Sequence, residues 1–186
     1  MDTDSKQAGY KYLLTYQYSS VIVDFTQEFC NRYYSGREYL RQRDQMTQAA
    51  RSGKQNISEG YSLESLESYI KLLGVAKGSI MELLEDYEDY IRHHNLICWD
   101  KNSIEMRGLR SLRVVRIPFP HIPQHPHLPH NPTLVTNLMI MLCQRTTYLL
   151  TKQIQSLKDK FVNEGGFREK LFKLRIRKRK QPFNSG

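Results

Sequence analysis

The sequence predicts an all-α chain. The architecture expected is an up-and-down antiparallel four-helix bundle, with a long Pro/His-rich connection before the last helix and a basic C-terminal extension. Three observations carry this. Apolar residues recur at steps of three and four in four long segments. No segment carries a strand signal. Glycine, proline and capping residues punctuate the segments. With 186 residues the chain is long enough to bury a real core. Residues 1–163 are assigned to the bundle, with helices at about 9–34, 37–59, 65–93 and 132–163 and a connection over 95–131. Residues 164–186 form the extension.

Residues 1–8 are polar and are expected to be disordered. In the first helix Leu14, Tyr18, Val21, Ile22, Phe25 and Phe29 form an apolar stripe over about four turns. The pair Val21 and Ile22 permits a strand locally, but the spacing is helical. Ser35 and Gly36 break the helix. In the second helix Met46, Ala49, Ala50, Gly53 and Ile57 share a face of little bulk, which lets a neighbour approach closely. Gly60 is expected to stop this helix, because glycine reaches the left-handed conformation that helix ends often need. Asp44, Asn56 and Glu59 lie on the same helix, but no base, nucleophile or metal set stands with them, so no catalytic role is assigned.

Residues 61–65 read as a short turn in which Ser62 or Ser65 caps the third helix, with Glu64 and Glu67 at its positive end. That helix has the clearest period in the chain: Tyr69, Leu72, Leu73, Ala76, Ile80, Leu83, Leu84, Tyr87 and Ile91. Gly74 and Gly78, four residues apart, are expected to admit a close neighbour. Glu82, Glu85, Asp86, Glu88 and Asp89 are expected to form a solvated acidic face. A carboxylate metal site is not assigned there, since no Glu-x-x-His pair accompanies them.

Two stretches carry a family resemblance. Gln45, Gln48-Ala49-Ala50, Ser52 and Asn56-Ile57-Ser58-Glu59-Gly60 resemble the signature of a family of bacterial four-helix-bundle proteins. That family includes proteins encoded in ribosomal-RNA intervening sequences and the accessory variability determinant of diversity-generating retroelements. Residues 72–84 match it as well, and residues 51–57 look closer still to a subgroup with a "four helix bundle suffix domain". The resemblance is strong over most of residues 10–95 and moderate over 132–175. Gln48 and Ser58 stand where the family often has a basic or apolar residue. The resemblance implies a bundle that binds nucleic acid or a reverse-transcriptase-like nucleoprotein partner, and assembly into five-membered rings.

The connection differs in kind. A short helix is expected between Trp99 and Val115, with arginines at every third position: Arg107, Arg110, Arg113 and Arg116. Prolines at 118, 120, 123, 126 and 129 then impose an extended, polyproline-like path. His121, His125, His127 and His130 offer four imidazoles. A dedicated metal site needs a rigid scaffold that prolines do not supply, so no metal is assigned. Asn131 and Pro132 open the last helix as cap and first helical residue. Its apolar residues are Leu134, Leu138, Met141, Leu142, Leu149, Leu150, Ile154, Leu157 and Phe161, and Gly165-Gly166 closes it.

The net charge of +9 is unevenly placed. Residues 168–180 hold eight Lys or Arg against Glu169, a local balance of +7. The connection adds four arginines, offset within 105–116 only by Glu105. Such clusters seek phosphates. Lys170, Lys173, Arg175, Arg177, Lys178, Arg179 and Lys180 on the extension, with Arg107, Arg110 and Arg113 on the connection, are the candidate nucleic-acid-binding residues. RNA is expected over DNA. Three scattered cysteines argue against a disulfide framework and fit a cytoplasmic location. The most apolar run, 138–143, is too short for a membrane span, and no membrane partner is expected. There is no Gly-rich phosphate loop, no Cys–His nucleophile pair and no HExxH-type set, so neither enzymatic activity nor a cofactor is expected. The alternative function is a structural homo-oligomer that mediates protein–protein contacts.

Overall fold

A computed structural model describes residues 9–111 and 127–180, with the side chains of Lys170 and Lys180 outside the description. The expectations for residues 1–8, for Arg113 and Arg116, and for His121 and His125 fall outside it. The described chain is all-helical, with no strand among the described residues. After a 3-10 turn at Gly9–Tyr12 come α1 (Leu14–Tyr33), α2 (Leu40–Ser62, preceded by a 3-10 turn at Arg37–Tyr39), α3 (Leu66–His93), α4 (Ile104–Ser111), α5 (Pro132–Glu164) and α6 (Phe167–Lys180).

The long helices α1, α2, α3 and α5 pack in a closed cycle around one core, α1 on α2, α2 on α3, α3 on α5 and α5 on α1. Cross-helix bonds set their directions. Gln153, late in α5, accepts from Thr15 at the start of α1 (2.8 Å) and donates to Tyr69 at the start of α3 (2.6 Å). Gln42, early in α2, donates to Asp86, late in α3. Across the core the fully buried Tyr87 hydroxyl meets the Thr26 hydroxyl at 2.9 Å, and the Phe29 ring stands edge-on to both Tyr87 and Tyr90.

Glycines supply two corrections. Gly60 does not end α2; it lies inside the helix, buried, where an added Cβ would meet Tyr69 Cδ2 at 2.7 Å and Leu72 Cβ at 3.2 Å. Its role is close approach to α3, and the helix runs two residues further. Gly74 and Gly78 are exposed, with no atom within 4 Å of an added Cβ, so they admit no neighbour. The close approach of α3 is instead to Gly53 of α2. Met46, Ala49, Ala50, Gly53 and Ile57 are all buried. Leu14, expected in the first stripe, is exposed at the helix start, while Tyr18 to Phe29 of that stripe are buried.

Capping follows simple chemistry. Ser65 accepts from the Ser68 amide, and Ser62 belongs to α2 rather than to a cap. Asn131 accepts from the Leu134 amide, with Pro132 opening α5. Residues 138–143 of α5 are buried on every side, as an all-round apolar helix must be. Met106 and Leu109 of α4 are buried as well, where α4 packs on α5. Gly165 takes φ +76°, and Gly166 lies against the Phe161 ring, after which α6 begins.

Both described ends of the connection are anchored. Asn137, fully buried on α5, donates to the Ile97 and Thr133 carbonyls and accepts the Trp99 amide, each at 2.8 Å. Leu128 inserts its side chain into the core, and its amide donates to the Glu28 carboxylate. Arg32, paired with Glu28, donates to the carbonyls of Leu128 and Pro129.

Candidate functional site

The candidate cations lie on two separate elements. Lys173, Arg175, Arg177, Lys178 and Arg179 sit on α6, where every described side chain is exposed. Among the described residues none of these five pairs with a carboxylate. Phe167, Leu171, Phe172, Leu174 and Ile176 are exposed between them. At 100° per residue Leu171 and Leu174 fall on one side of α6 and Phe172 and Ile176 on another, so the helix lacks a single apolar face. Lys170 and Lys180 lie within the helix bounds, and their side chains are outside the description.

Arg107 and Arg110 are exposed on α4. Arg110 donates to the Lys101 carbonyl at 2.9 Å, which holds its stem while leaving other guanidinium donors outward. No described hydrogen bond, ion pair or cleft joins these arginines to α6. What the structure does bring to Arg110 is a stretch of α5 that the apolar period alone does not single out. Arg110, Met141, Gln144, Arg145 and Tyr148 line one open cleft of about 330 Å³. The Arg145 guanidinium lies 5.1 Å from the Tyr18 ring centroid, and Lys152 stands 5.6 Å from that of the exposed Tyr148. A signal is present in the spacing: positions 145, 148 and 152 are exposed and fall at steps of three and four, so they share one outward face of α5.

The acidic face of α3 is not uniformly solvated. Glu82, Glu85, Glu88 and Asp89 are exposed, but Asp86 is only 8% exposed and turns inward. Its position explains this: it falls three residues after Leu83 and four before Tyr90, both buried. Burial raises its carboxyl pKa above the ordinary range, and Asp89, Glu82 and Glu85 add to this, while the bond from Gln42 opposes it.

Among the described residues no group of three or more His, Cys, Asp or Glu is placed to hold a metal. His127 is exposed with Nδ1 3.9 Å from Glu28, and His130 accepts from the Tyr33 hydroxyl through its carbonyl. Cys30 and Cys143 are buried. Desolvation lifts the Cys30 thiol to about 11 and raises Cys143 further. Among the described residues no helix is long and apolar enough to cross a membrane.

No protein-family model, no curated protein and no solved structure matches this chain.

Proposed function

We propose that the chain is a non-enzymatic, up-and-down four-helix-bundle module that binds nucleic acid, RNA in the first place, through basic residues displayed outside its core. The observation that carries this reading is α6: six described cations, Arg168 with the five candidates, all exposed and none in an ion pair among the described residues, on a helix that buries none of its described side chains. Phosphate contacts of this kind release counterions and give affinity without base selectivity. Arg107, Arg110, Arg145 and Lys152 supply a second basic surface, and Tyr148 offers a ring on which an unpaired base can stack. The alternation of helix directions implied by the cross-helix bonds supports the bundle, as does the family resemblance of residues 44–60 and 72–84.

Fluorescence anisotropy with a labelled single-stranded RNA tests the reading. Affinity should fall with salt at a log–log slope of about −0.7 per phosphate engaged. Removing residues 167–186 should weaken binding strongly at low salt. Unchanged affinity after that deletion, or none in the intact chain, overturns it.

A second reading is a homo-oligomeric scaffold. The observation favouring it is the exposed apolar set on α6, Leu171, Phe172, Leu174 and Ile176. Sedimentation decides this reading: a strict monomer at high concentration refutes it, and a ring mass supports it.

A further inference from the structure

Asp86 poses a problem that its neighbours only half solve. Its Oδ1 accepts from the Nε2 groups of Gln42 at 2.9 Å and Gln45 at 3.1 Å. Its Oδ2 is buried with no hydrogen-bond partner among the described residues. A buried carboxylate oxygen without a donor is destabilising, and proteins rarely keep one without a use for it.

The carboxylate stands in the lining of an open cleft of about 710 Å³, where α1 ends, α2 begins and α3 finishes. Tyr34 and Tyr39 form part of its wall, with ring centroids 5.3 Å apart and planes tilted by 51°. Tyr90 backs Tyr34 edge-on at 5.6 Å. Glu38 and Asp89 add two carboxylates to the lining, against Arg41 and the imidazoles of His93 and His94. Asp89 is already paired with Arg92 at 2.6 Å, and among the described residues no ion pair joins Arg41 to Glu38 or Asp86.

We propose that this cleft is a binding site for an organic cation, a guanidinium or primary ammonium group that docks on Asp86 beside the tyrosine rings. A guanidinium presents paired N–H donors at the spacing of two carboxylate oxygens. Oδ2 is closed to solvent, so docking requires Gln45, whose side chain is exposed, to swing away from the carboxylate first. One donor then satisfies Oδ2 and the other takes the Oδ1 bond that Gln45 gives up. The ring faces of Tyr34 and Tyr39 attract a cation within about 6 Å. A hard metal ion fits less well: it needs several oxygen ligands, whereas both glutamines turn N–H groups toward the carboxylate. This site is independent of the nucleic-acid reading, because its charge has the opposite sign and its residues lie on other elements.

The guanidinium can belong to a free amine or to an arginine side chain of a protein. Calorimetry on the full chain separates the sources, with agmatine for the first and Nα-acetyl-arginine methylamide for the second. Saturable binding is expected, tighter for whichever source the cleft serves. Asp86→Asn, which keeps the shape and removes the charge, should weaken binding at least tenfold. Glu38→Gln, at an exposed position, should weaken it two- to threefold. The same titration followed by NMR on the wild-type chain should move the Asp86 side-chain carboxyl carbon and the Tyr34 and Tyr39 ring signals, which tests the contact even if Asp86→Asn does not fold. Failure of both guanidinium compounds to bind at millimolar concentration overturns the proposal. So does an Asp86→Asn chain that binds them as well as the wild type, or binding that leaves those NMR signals in place.

Discussion

Gly53 of α2 and Ile80 of α3 are in such close contact that a Cβ added to the glycine would lie 2.6 Å from Ile80 Cδ1 and 2.9 Å from Cγ1. Ile80 is fully buried, so its side chain must shift within the packed core to make way. Gly53→Ala gains about 1 kcal/mol of helix propensity but overpacks a filled interface, which costs about 1–3 kcal/mol. The net expectation is a loss of about 1 kcal/mol in urea unfolding. Gly74→Ala and Gly78→Ala, where the added methyl meets nothing within 4 Å, should each gain about 0.5–1 kcal/mol. Opposite signs for the two classes are the test; a stabilising Gly53→Ala would contradict the packing.

Asn137 holds the start of the connection by two bonds at 2.8 Å, to the Ile97 carbonyl and from the Trp99 amide. Truncation to alanine leaves the Trp99 amide and the Ile97 carbonyl without this partner. A loss of about 2–3 kcal/mol is expected. Hydrogen exchange should accelerate at residues 97–111 more than in the core of α3. Uniform acceleration throughout the chain would show that the clamp is not local.

Asp86 gives the fold a pH dependence of defined sign. Its carboxyl is raised chiefly by burial, the Gln42 bond opposes this, and Asp89, Glu82 and Glu85 on its own helix add repulsion. Glu38 and Arg41 share the cleft lining with it. The folded chain therefore keeps a proton that the unfolded chain, with an ordinary value near ~3.9, has already released. Stability is highest below that ordinary value and falls as pH rises through the window up to the raised one. Without added amine, Asp86→Asn should melt at a higher temperature than the wild type at pH 7, and the gap should close as pH falls toward the ordinary carboxylate range. A gap that widens on acidification would refute this assignment.

Replacing Lys173, Arg175, Arg177, Lys178 and Arg179 by glutamine should flatten the salt dependence of RNA binding, by about 0.7 in log–log slope for every phosphate that is no longer neutralised. The unfolding midpoint should not move, since all five are exposed. Tyr148→Ala should do the reverse, lowering affinity for single strands by about 1 kcal/mol while leaving the slope intact. Equal salt slopes before and after the glutamine substitutions would remove α6 from the interface.

The long helices are legible because their apolar residues keep a 3.6-residue period over many turns, which is a property of each segment alone. The glycines are not, because what a glycine does depends on the helix opposite. Gly60 sits under Tyr69 and Leu72, while Gly74 and Gly78 face open space; at 100° per residue both fall opposite the apolar stripe of the third helix, a sign that their four-residue spacing taken alone conceals. Asp86 is readable in principle from its place between Leu83 and Tyr90, but its charge groups it with its exposed neighbours. Joining Arg110 to Arg145 and Tyr148 requires knowing that α4 folds onto α5, which no local pattern encodes.

The three thiols differ enough in surroundings to be told apart chemically. Cys30 and Cys143 are buried and held protonated, whereas Cys98 is exposed between Ile97 and Trp99, the two residues tethered by Asn137. A maleimide dye therefore lands on Cys98 in the native chain, with no need to engineer a site. Its emission becomes a direct gauge of when residues 97–99 lift away from Asn137.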